Sequence, residues 1–216
     1  MSAPRIGICD YGVGNVRSVQ RALEAGGADA CVTHDARTLA ASDGVVLPGV
    51  GAFTPAMRRL RESGIAAVIK DLVAAGTPVL GVCLGHQLLF DRSDEGAGGD
   101  GLGVIAGVVG RIDANGRKVP HIGWNTLRIA RRARMLEGIR EGAWMYFVHS
   151  YTGAPADSHD VVATTDYGSS IVAVVQRGSA VGTQFHPEKS GRDGLRVYAN
   201  FVARCATRAT TLARGA

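Results

Sequence analysis

A cysteine between two glycines is the residue of this chain with the strongest local pattern for nucleophilic chemistry. Cys83 lies in the segment GVCLGHQ, with Gly81 and Gly85 two residues to either side. The apolar run before it is typical of a strand, and the leucines after it have helical spacing. Glycines permit the sharp turn of a nucleophile elbow, and a helix N-terminus favours a thiolate. Cys83 is therefore a candidate nucleophile; the alternative is a buried cysteine that acts as a small hydrophobe.

A histidine and a glutamate two residues apart could supply a base and the carboxylate that orients it. His186 and Glu188 follow a predicted strand in the segment TQFHPEKS. In an extended segment such side chains point the same way, so the carboxylate can bind one ring nitrogen and leave the other free. With Cys83 they predict a Cys-His-acid triad, although a lone histidine is more often structural.

The segment LPGVGAF is a candidate site for a negatively charged oxygen. Gly49, Val50 and Gly51 come directly after a predicted strand. Where glycines end a strand, backbone N–H groups are free and uncrowded, as an oxyanion hole requires. A plain turn is the alternative interpretation.

The first half of the chain alternates between predicted strands and helices. Apolar runs near residues 5–10, 30–33, 44–47 and 78–82 predict strands, and helical spacing follows the first, third and fourth of them. This alternation predicts a parallel sheet that is covered by helices on both faces.

The second half contains short β-like pieces at residues 104–112, 125–129, 143–148, 161–165, 171–176 and 180–184. Residues 91–103 are rich in glycine and predict a mobile loop. Residues 119–125 predict an exposed loop that carries Trp124, which is either an interface anchor or a core residue. We expect one domain over residues 1–204 and a polar tail over 205–216 that frays.

The bulk properties narrow the class of protein. A chain of 216 residues suits one domain with a sizeable core. Its four cysteines form no CxxC pair, which argues for a reducing compartment and against a zinc site or a disulfide framework. No apolar run approaches the roughly 20 residues of a membrane span, and the N-terminus lacks a signal-peptide pattern. We therefore expect a soluble, cytoplasmic protein without a metal.

Two features bear on nucleotide or nucleic-acid binding. The net charge of +5 is concentrated at Arg128, Arg131, Arg132 and Arg134, but no aromatic interleaving accompanies these arginines. We expect a solvated loop there; the alternatives are an acidic partner or a phosphorylated substrate. The turn at residues 10–15 does not predict a dinucleotide site, because Arg17 stands where the third glycine of GxGxxG belongs.

The segments GVCLGHQ, QFHPE and LPGVGAF together resemble the class I glutamine amidotransferases. The resemblance extends over about residues 6 to 201, and it implies a three-layer, flavodoxin-like α/β domain with a mostly parallel central sheet and additional antiparallel strands. DYGVGN, PHIGWN and YFVHSY are similar to segments of one branch, the glutaminase subunits of imidazole glycerol phosphate synthases in histidine biosynthesis.

This resemblance implies catalytic roles. Cys83 would attack the amide carbon of L-glutamine, His186 would transfer the proton, and Glu188 would orient His186. The N–H of Leu84 and one from the Gly49-Val50 peptide would hold the oxyanion, the second after a peptide flip. No cofactor is implied.

The resemblance also implies binding residues. The positions that match glutamine-binding residues are Gly51, Gln87, Glu95, Ser150 and Tyr151. Ammonia would pass to a (βα)8-barrel cyclase subunit in a heterodimer, where it is consumed together with a phosphoribulosyl nucleotide (PRFAR). The positions that match the face towards this cyclase are Asn15, Trp124, Tyr146 and Lys189.

Three alternatives remain at this stage. The glutaminase component of anthranilate or aminodeoxychorismate synthase often has a histidine where this chain has His86, but it carries an SPGPG-type segment in place of LPGVG. A cysteine peptidase or γ-glutamyl hydrolase would act without a partner. A binding module without activity would normally lack Cys83, His186 or Glu188, and all three are present.

Overall fold

The predicted alternation of strands and helices folds into a central sheet of eight strands in the order β2-β1-β3-β4-β14-β13-β12-β9. A computed structural model describes residues 2–12 and 14–215, with side chains described as far as residue 209. Five of the strands run parallel to one another. They are β1 (Arg5–Cys9), β2 (Asp29–Thr33), β3 (Gly44–Gly49), β4 (Val79–Cys83) and β14 (Ala180–Thr183).

Helices cover both faces of this sheet, as the alternation predicted. They are α1 (Val16–Ala25), α2 (Ala36–Ala40), α3 (Phe53–Glu62), α4 (Ile65–Ala74), α5 (Leu84–Leu88) and α6 (Gly191–Gly215). Successive strand residues point to opposite faces, so Val46 and Leu47 of β3 belong to two different apolar clusters. One cluster includes residues of α1 and α6, and the other includes residues of the remaining four helices. The fold is therefore a three-layer α/β domain.

The second half adds antiparallel strands, which confirms that part of the prediction. Strands β9 (Arg128–Ile129), β12 (Val161–Asp166) and β13 (Ser170–Arg177) extend the central sheet. Four others form a separate sheet: β5 (Phe90–Ser93), β6 (Gly99–Asp100), β7 (Ile105–Arg111) and β11 (Tyr151–Pro155). The last two, β8 (His121–Thr126) and β10 (Trp144–His149), pair only with each other among the described residues; we call them the ribbon.

Two predicted loops are wrong in part. Residues 91–103 contain most of β5 and all of β6, which pair although their composition is polar and rich in glycine. Residues 119–125 run into β8 and are strand from His121 onwards. Pro120 lies just before the strand, and Gly123 has a positive φ of 131° that the absence of a Cβ permits. Trp124 is nevertheless exposed, because it lies on the outer face of the ribbon.

The chain ends in a longer helix than the sequence suggested. Helix α6 continues to Gly215, beyond the predicted boundary at residue 204. Cys205 is fully buried in the core, so the first turn after that boundary packs against the domain. The fraying of the end stays a prediction. No helix in the described part of the chain is both long and apolar enough to span a membrane.

Candidate active site

The predicted elbow is present where β4 meets α5. Cys83 has φ 54° and ψ −105°, a conformation that costs a residue with a Cβ about 1 to 3 kcal/mol. The flanking glycines make the close approach possible. A Cβ at Gly81 would overlap the carbonyl of Gly85, and a Cβ at Gly85 would overlap the carbonyl of Leu47. The strained turn places Cys83 at the end of the strand, against the candidate glutamine pocket.

His186 and Glu188 form the contact that their spacing predicted. The Nδ1 atom of His186 lies 2.8 Å from Oε1 of Glu188, and both side chains are almost fully buried. The reason differs from the predicted one, because Glu188 lies in a short 3-10 helix (Pro187–Lys189) that His186 precedes. Tyr198 also donates to Glu188 at 3.3 Å, so the carboxylate is held from two sides.

The second ring nitrogen of His186 is available for proton transfer. Its Nε2 atom is buried and has no hydrogen-bond partner among residues 2–12 and 14–215. Burial by itself lowers the pKa of His186, but the Cys83 sulfur and the Glu188 carboxylate raise it to about 9. His186 is therefore suited to accept the proton of the Cys83 thiol and to keep it at neutral pH.

The LPGVG segment lies beside the nucleophile. Gly49 is paired with Cys83 across β3 and β4. A Cβ at Gly49 would come within 2.6 Å of the Tyr11 hydroxyl and 2.9 Å of Leu84 Cβ, so only glycine fits there. The Tyr11 hydroxyl in turn donates to the Pro48 carbonyl at 2.7 Å. The structure thus brings together the three residues that were predicted to hold an oxyanion.

A cavity of about 330 Å³ opens in front of Cys83, a size within the usual range for small ligands. It is lined by Cys83 and by seven other residues that the sequence analysis named: Val50, Gly51, Leu84, Gln87, Glu95, Ser150 and Tyr151. Gln87 donates to the Tyr151 carbonyl at 2.8 Å. Glu95 accepts from the backbone N–H of Phe53 at 2.8 Å, which holds this carboxylate at the rim. All five predicted glutamine-binding positions therefore share one cavity.

Sequence reasoning missed several residues of the site. Pro120, Val148 and His149 line the same cavity. The Cys83 thiol lies 3.8 Å from the Val148 carbonyl, and the Gln184 side chain donates towards the sulfur at 3.9 Å. Gln184 had one available signal, since it stands two residues before His186 on an extended segment and can share its side.

His86 is separate from this cavity. It is buried in α5, where a Cβ at Gly182 of β14 would come within 2.6 Å of its Nδ1 atom. Burial lowers the pKa of His86 to about 4, so the ring is neutral at pH 7. The residue therefore packs between α5 and the sheet and does not line the cavity in front of Cys83.

Three of the four predicted partner-facing residues form one exposed cluster. The rings of Trp124 and Tyr146 lie edge to face at 6.1 Å, and the Lys189 Nζ atom is 5.8 Å from the centre of the Tyr146 ring. Trp124 is 52% exposed, and Trp144 on the same face of the ribbon is 55% exposed. Asn15 has a different contact: its side chain caps α1 by accepting from Ser18 N–H at 3.4 Å.

The predicted arginine-rich loop is partly structured. Arg128 lies in β9 and is 3.7 Å from Asp166, while Arg131 donates to the His159 carbonyl at 2.9 Å. These side chains have partners within the chain. No group of three or more side chains suited to hold a metal ion occurs in the described residues.

Comparison with known proteins gives a consistent result. The family model of the class-I glutamine amidotransferases matches residues 7–205. Imidazole glycerol phosphate synthase subunit HisH of Moorella thermoacetica is 48% identical over 196 residues, which are 91% of this chain and 93% of that protein. The protein of the same name from Rhodopirellula baltica is 47% identical over 198 residues, covering 91% and 96% of the two chains.

The fold is also found among solved structures. A putative GMP synthase protein of Thermoplasma acidophilum superposes with a TM-score of 0.74 over 98% of both chains. The identity is 18%, so this likeness concerns the fold alone.

Proposed function

The chain belongs to the class I glutamine amidotransferases, and we propose that it is the glutaminase subunit of an imidazole glycerol phosphate synthase. Relatives of this name match nine-tenths of its length at 44 to 48% identity. The observation that carries the catalytic part is the buried Nε2 atom of His186, which has no hydrogen-bond partner in the described part of the chain, while Glu188 binds the opposite ring nitrogen.

The proposed reaction forms and breaks a thioester. His186 Nε2 takes the Cys83 proton, and the thiolate attacks the side-chain amide carbon of glutamine. The N–H groups of Leu84 and of the Gly49-Val50 peptide stabilise the oxyanion. The carbon–nitrogen bond then breaks as His186 returns its proton, and ammonia leaves. Water, deprotonated by His186, attacks the thioester and releases glutamate and the Cys83 thiol.

The substrate contacts follow from the lining of the cavity. Glu95 is the carboxylate at its rim and would attract the α-ammonium group of glutamine. The backbone at Ser150 and Tyr151 would meet the α-carboxylate, while Gln87 supports that wall through the Tyr151 carbonyl. Gly51 lines the cavity beside Val50. A Cβ at Gly51 would meet nothing within 4 Å, so its positive φ of 105°, and not a lack of space, favours glycine there.

We further propose that the exposed cluster of Trp124, Tyr146 and Lys189 docks onto a (βα)8-barrel cyclase, and that Asn15 lies on the same interface. Ammonia that enters bulk water becomes ammonium and is no longer a nucleophile, so direct transfer to a partner is required. Exposed tryptophan and tyrosine side chains are typical anchors of protein interfaces. We expect the pair to act in the cytoplasm, where free cysteines stay reduced.

The test measures glutamate release from glutamine in three mixtures: the chain alone, with the cyclase, and with cyclase plus PRFAR. We expect little release from the chain alone and strong activation in the third mixture. High release from the chain alone that the cyclase does not change would place the protein in another branch of the family.

The docking surface is tested in the same assay with Trp124→Ala and Lys189→Ala. We expect at least one of them to weaken complex formation by about tenfold or more, since interface anchors contribute about 2 kcal/mol or more. Leu195→Ala is the matched control, because Leu195 of α6 is also a large exposed apolar residue. Normal coupling in both Trp124→Ala and Lys189→Ala would contradict the interface assignment.

A further inference from the structure

Two buried histidines of the ribbon form a hydrogen-bonded chain that ends at the wall of the glutamine pocket. His121 of β8 is directly opposite His149 of β10. The Nδ1 atom of His149 lies 2.9 Å from the Tyr151 carbonyl. Its Nε2 atom lies 3.1 Å from Nδ1 of His121, whose own Nε2 is 3.3 Å from the Asn125 amide nitrogen.

The groups at the two ends of this series of hydrogen bonds determine which atom donates and which accepts in each bond. A carbonyl oxygen only accepts, so His149 Nδ1 carries a proton. A neutral ring has one N–H, so His149 Nε2 accepts from His121 Nδ1, and His121 Nε2 accepts from Asn125. Burial lowers the pKa of His149 to about 3 and that of His121 to about 4, which keeps both rings neutral.

The surroundings hold His121 firmly in place. Its ring is stacked between Tyr167, at 4.0 Å between ring centres, and Phe147, at 4.8 Å. Asn125 also donates to the Asp166 carbonyl at 2.8 Å, and its oxygen accepts from the Thr126 N–H at 2.8 Å. The amide of Asn125 is therefore oriented with its nitrogen towards His121.

The end of this series of hydrogen bonds at the Tyr151 carbonyl lies in the wall of the proposed substrate site. The Tyr151 carbonyl accepts from both His149 and Gln87, and all three residues line the cavity in front of Cys83. The residue before His149 is Val148, whose carbonyl contacts the Cys83 sulfur. A shift of His149 would therefore alter the pocket wall and the place of the nucleophile together.

We propose that His121 and His149 are positioning residues of the glutaminase site, which orient the Tyr151 carbonyl and the adjoining pocket wall through directed hydrogen bonds. The inference rests on the proposed function. His149 holds the wall directly, and His121 fixes the tautomer of His149. Neither residue exchanges a proton with the substrate.

The kinetic test compares two substitutions at residue 121 in the complex with cyclase and PRFAR. His121→Phe keeps a stacking ring but removes the donor, whereas His121→Asn places an amide N–H near the position of Nδ1. We expect His121→Phe to raise KM for glutamine about tenfold, with a smaller change in kcat. In the separate variant His121→Asn, KM for glutamine should stay within about threefold of the value for the original chain. Equal behaviour of the two variants, or an unchanged KM in His121→Phe, would overturn the proposal.

The control and a second measurement separate positioning from folding. Tyr167→Phe removes the 2.8 Å bond to the Lys118 carbonyl but keeps the ring on His121, so it should leave KM unchanged. In the unsubstituted chain, nitrogen NMR should show His121 and His149 as neutral rings protonated at Nδ1. An Nε2–H tautomer of either ring would refute the chain of bonds, even if every variant failed to fold. This measurement needs no glutamine turnover, so failure of the proposed function remains distinguishable.

Discussion

Two buried histidine sites, His186 beside Glu188 and the His121–His149 pair of the ribbon, differ in the charge of their partners. His186 contacts the carboxylate of Glu188 at 2.8 Å, and its pKa is raised to about 9. His149 contacts a backbone carbonyl and the neutral ring of His121, and burial lowers its pKa to about 3. Removal from water disfavours the imidazolium form at both sites.

The difference shows what an anionic neighbour adds to a buried histidine. In the triad, the Cys83 sulfur and the carboxylate of Glu188 outweigh burial, so His186 holds a proton at neutral pH. In the ribbon nothing outweighs burial, so the rings stay neutral and act through the direction of their hydrogen bonds. On our proposals, one residue type therefore serves proton transfer in one region and positioning in the other.

The largest expected effect follows from removal of the Cys83 thiol, whose proton His186 is proposed to accept. Cys83→Ala should lower glutamine-dependent turnover by at least about a thousandfold, because Cys83 supplies the only thiol that lines the cavity in the described residues. Ammonia-dependent cyclisation by the complex should continue at the original rate. Loss of both activities would mean that Cys83 is needed for the fold and not only for the chemistry.

A smaller effect should follow when the charge of the triad is removed and its shape is kept. Glu188→Gln should reduce glutamine turnover by about a hundredfold to ten-thousandfold. The pKa of His186 should fall, since burial remains and the carboxylate is lost. NMR titration of His186 measures this directly, and the alkaline limit of kcat/KM should move to lower pH. An unchanged pKa would show that Glu188 does not set the difference between the two sites.

The smallest expected effect is on the pH dependence of stability. His121 and His149 have folded-state pKa values below the unfolded value of about 6.5, so their contribution is lost as the pH falls from about 6.5 towards 4. His186 has a raised value, so its contribution is complete below about 6.5 and is lost as the pH rises through about 9.

Urea unfolding across this pH range measures the free energy of unfolding as a function of pH, with an acid limb that reports His121 and His149 and an alkaline limb that reports His186. His121→Asn should flatten the acid limb by about 1 kcal/mol after allowance for solvent screening, and Glu188→Gln should flatten the alkaline limb. His34→Asn is the matched control, because His34 is exposed and should leave both limbs unchanged. A variant of one site that altered the opposite limb would contradict the assignment of the two charge states.

Much of the triad region was predictable because its patterns are local. The apolar run, the two glycines and Cys83 stand within a few residues of one another, and each restricts the backbone of its neighbours. His186 and Glu188 are likewise two residues apart, although a 3-10 helix, and not an extended strand, brings them together. The three-layer fold followed from the alternation of strands and helices in the first half.

The second strand of the ribbon matches the β-like piece predicted at residues 143–148, but the first strand was far less predictable. Its proline and glycine favoured a loop, and the pairing of β8 with β10 that overrides them joins segments about twenty residues apart in the chain. Strand β11 was not anticipated at all, because its short run of Tyr151–Pro155 has no clear alternation. The buried pairing of His121 with His149 depends on that register.

Residue type and spacing by themselves determined the elbow, the acid–base pair and the layered fold. Only the tertiary structure decided that Val148, His149 and Gln184 share the site with Cys83, since Val148 is 65 residues and Gln184 101 residues away from it in sequence. Periodicity reports how each segment folds locally. Which distant carbonyl or ring meets the nucleophile depends on strand register and core packing, and these arise from contacts across the whole chain.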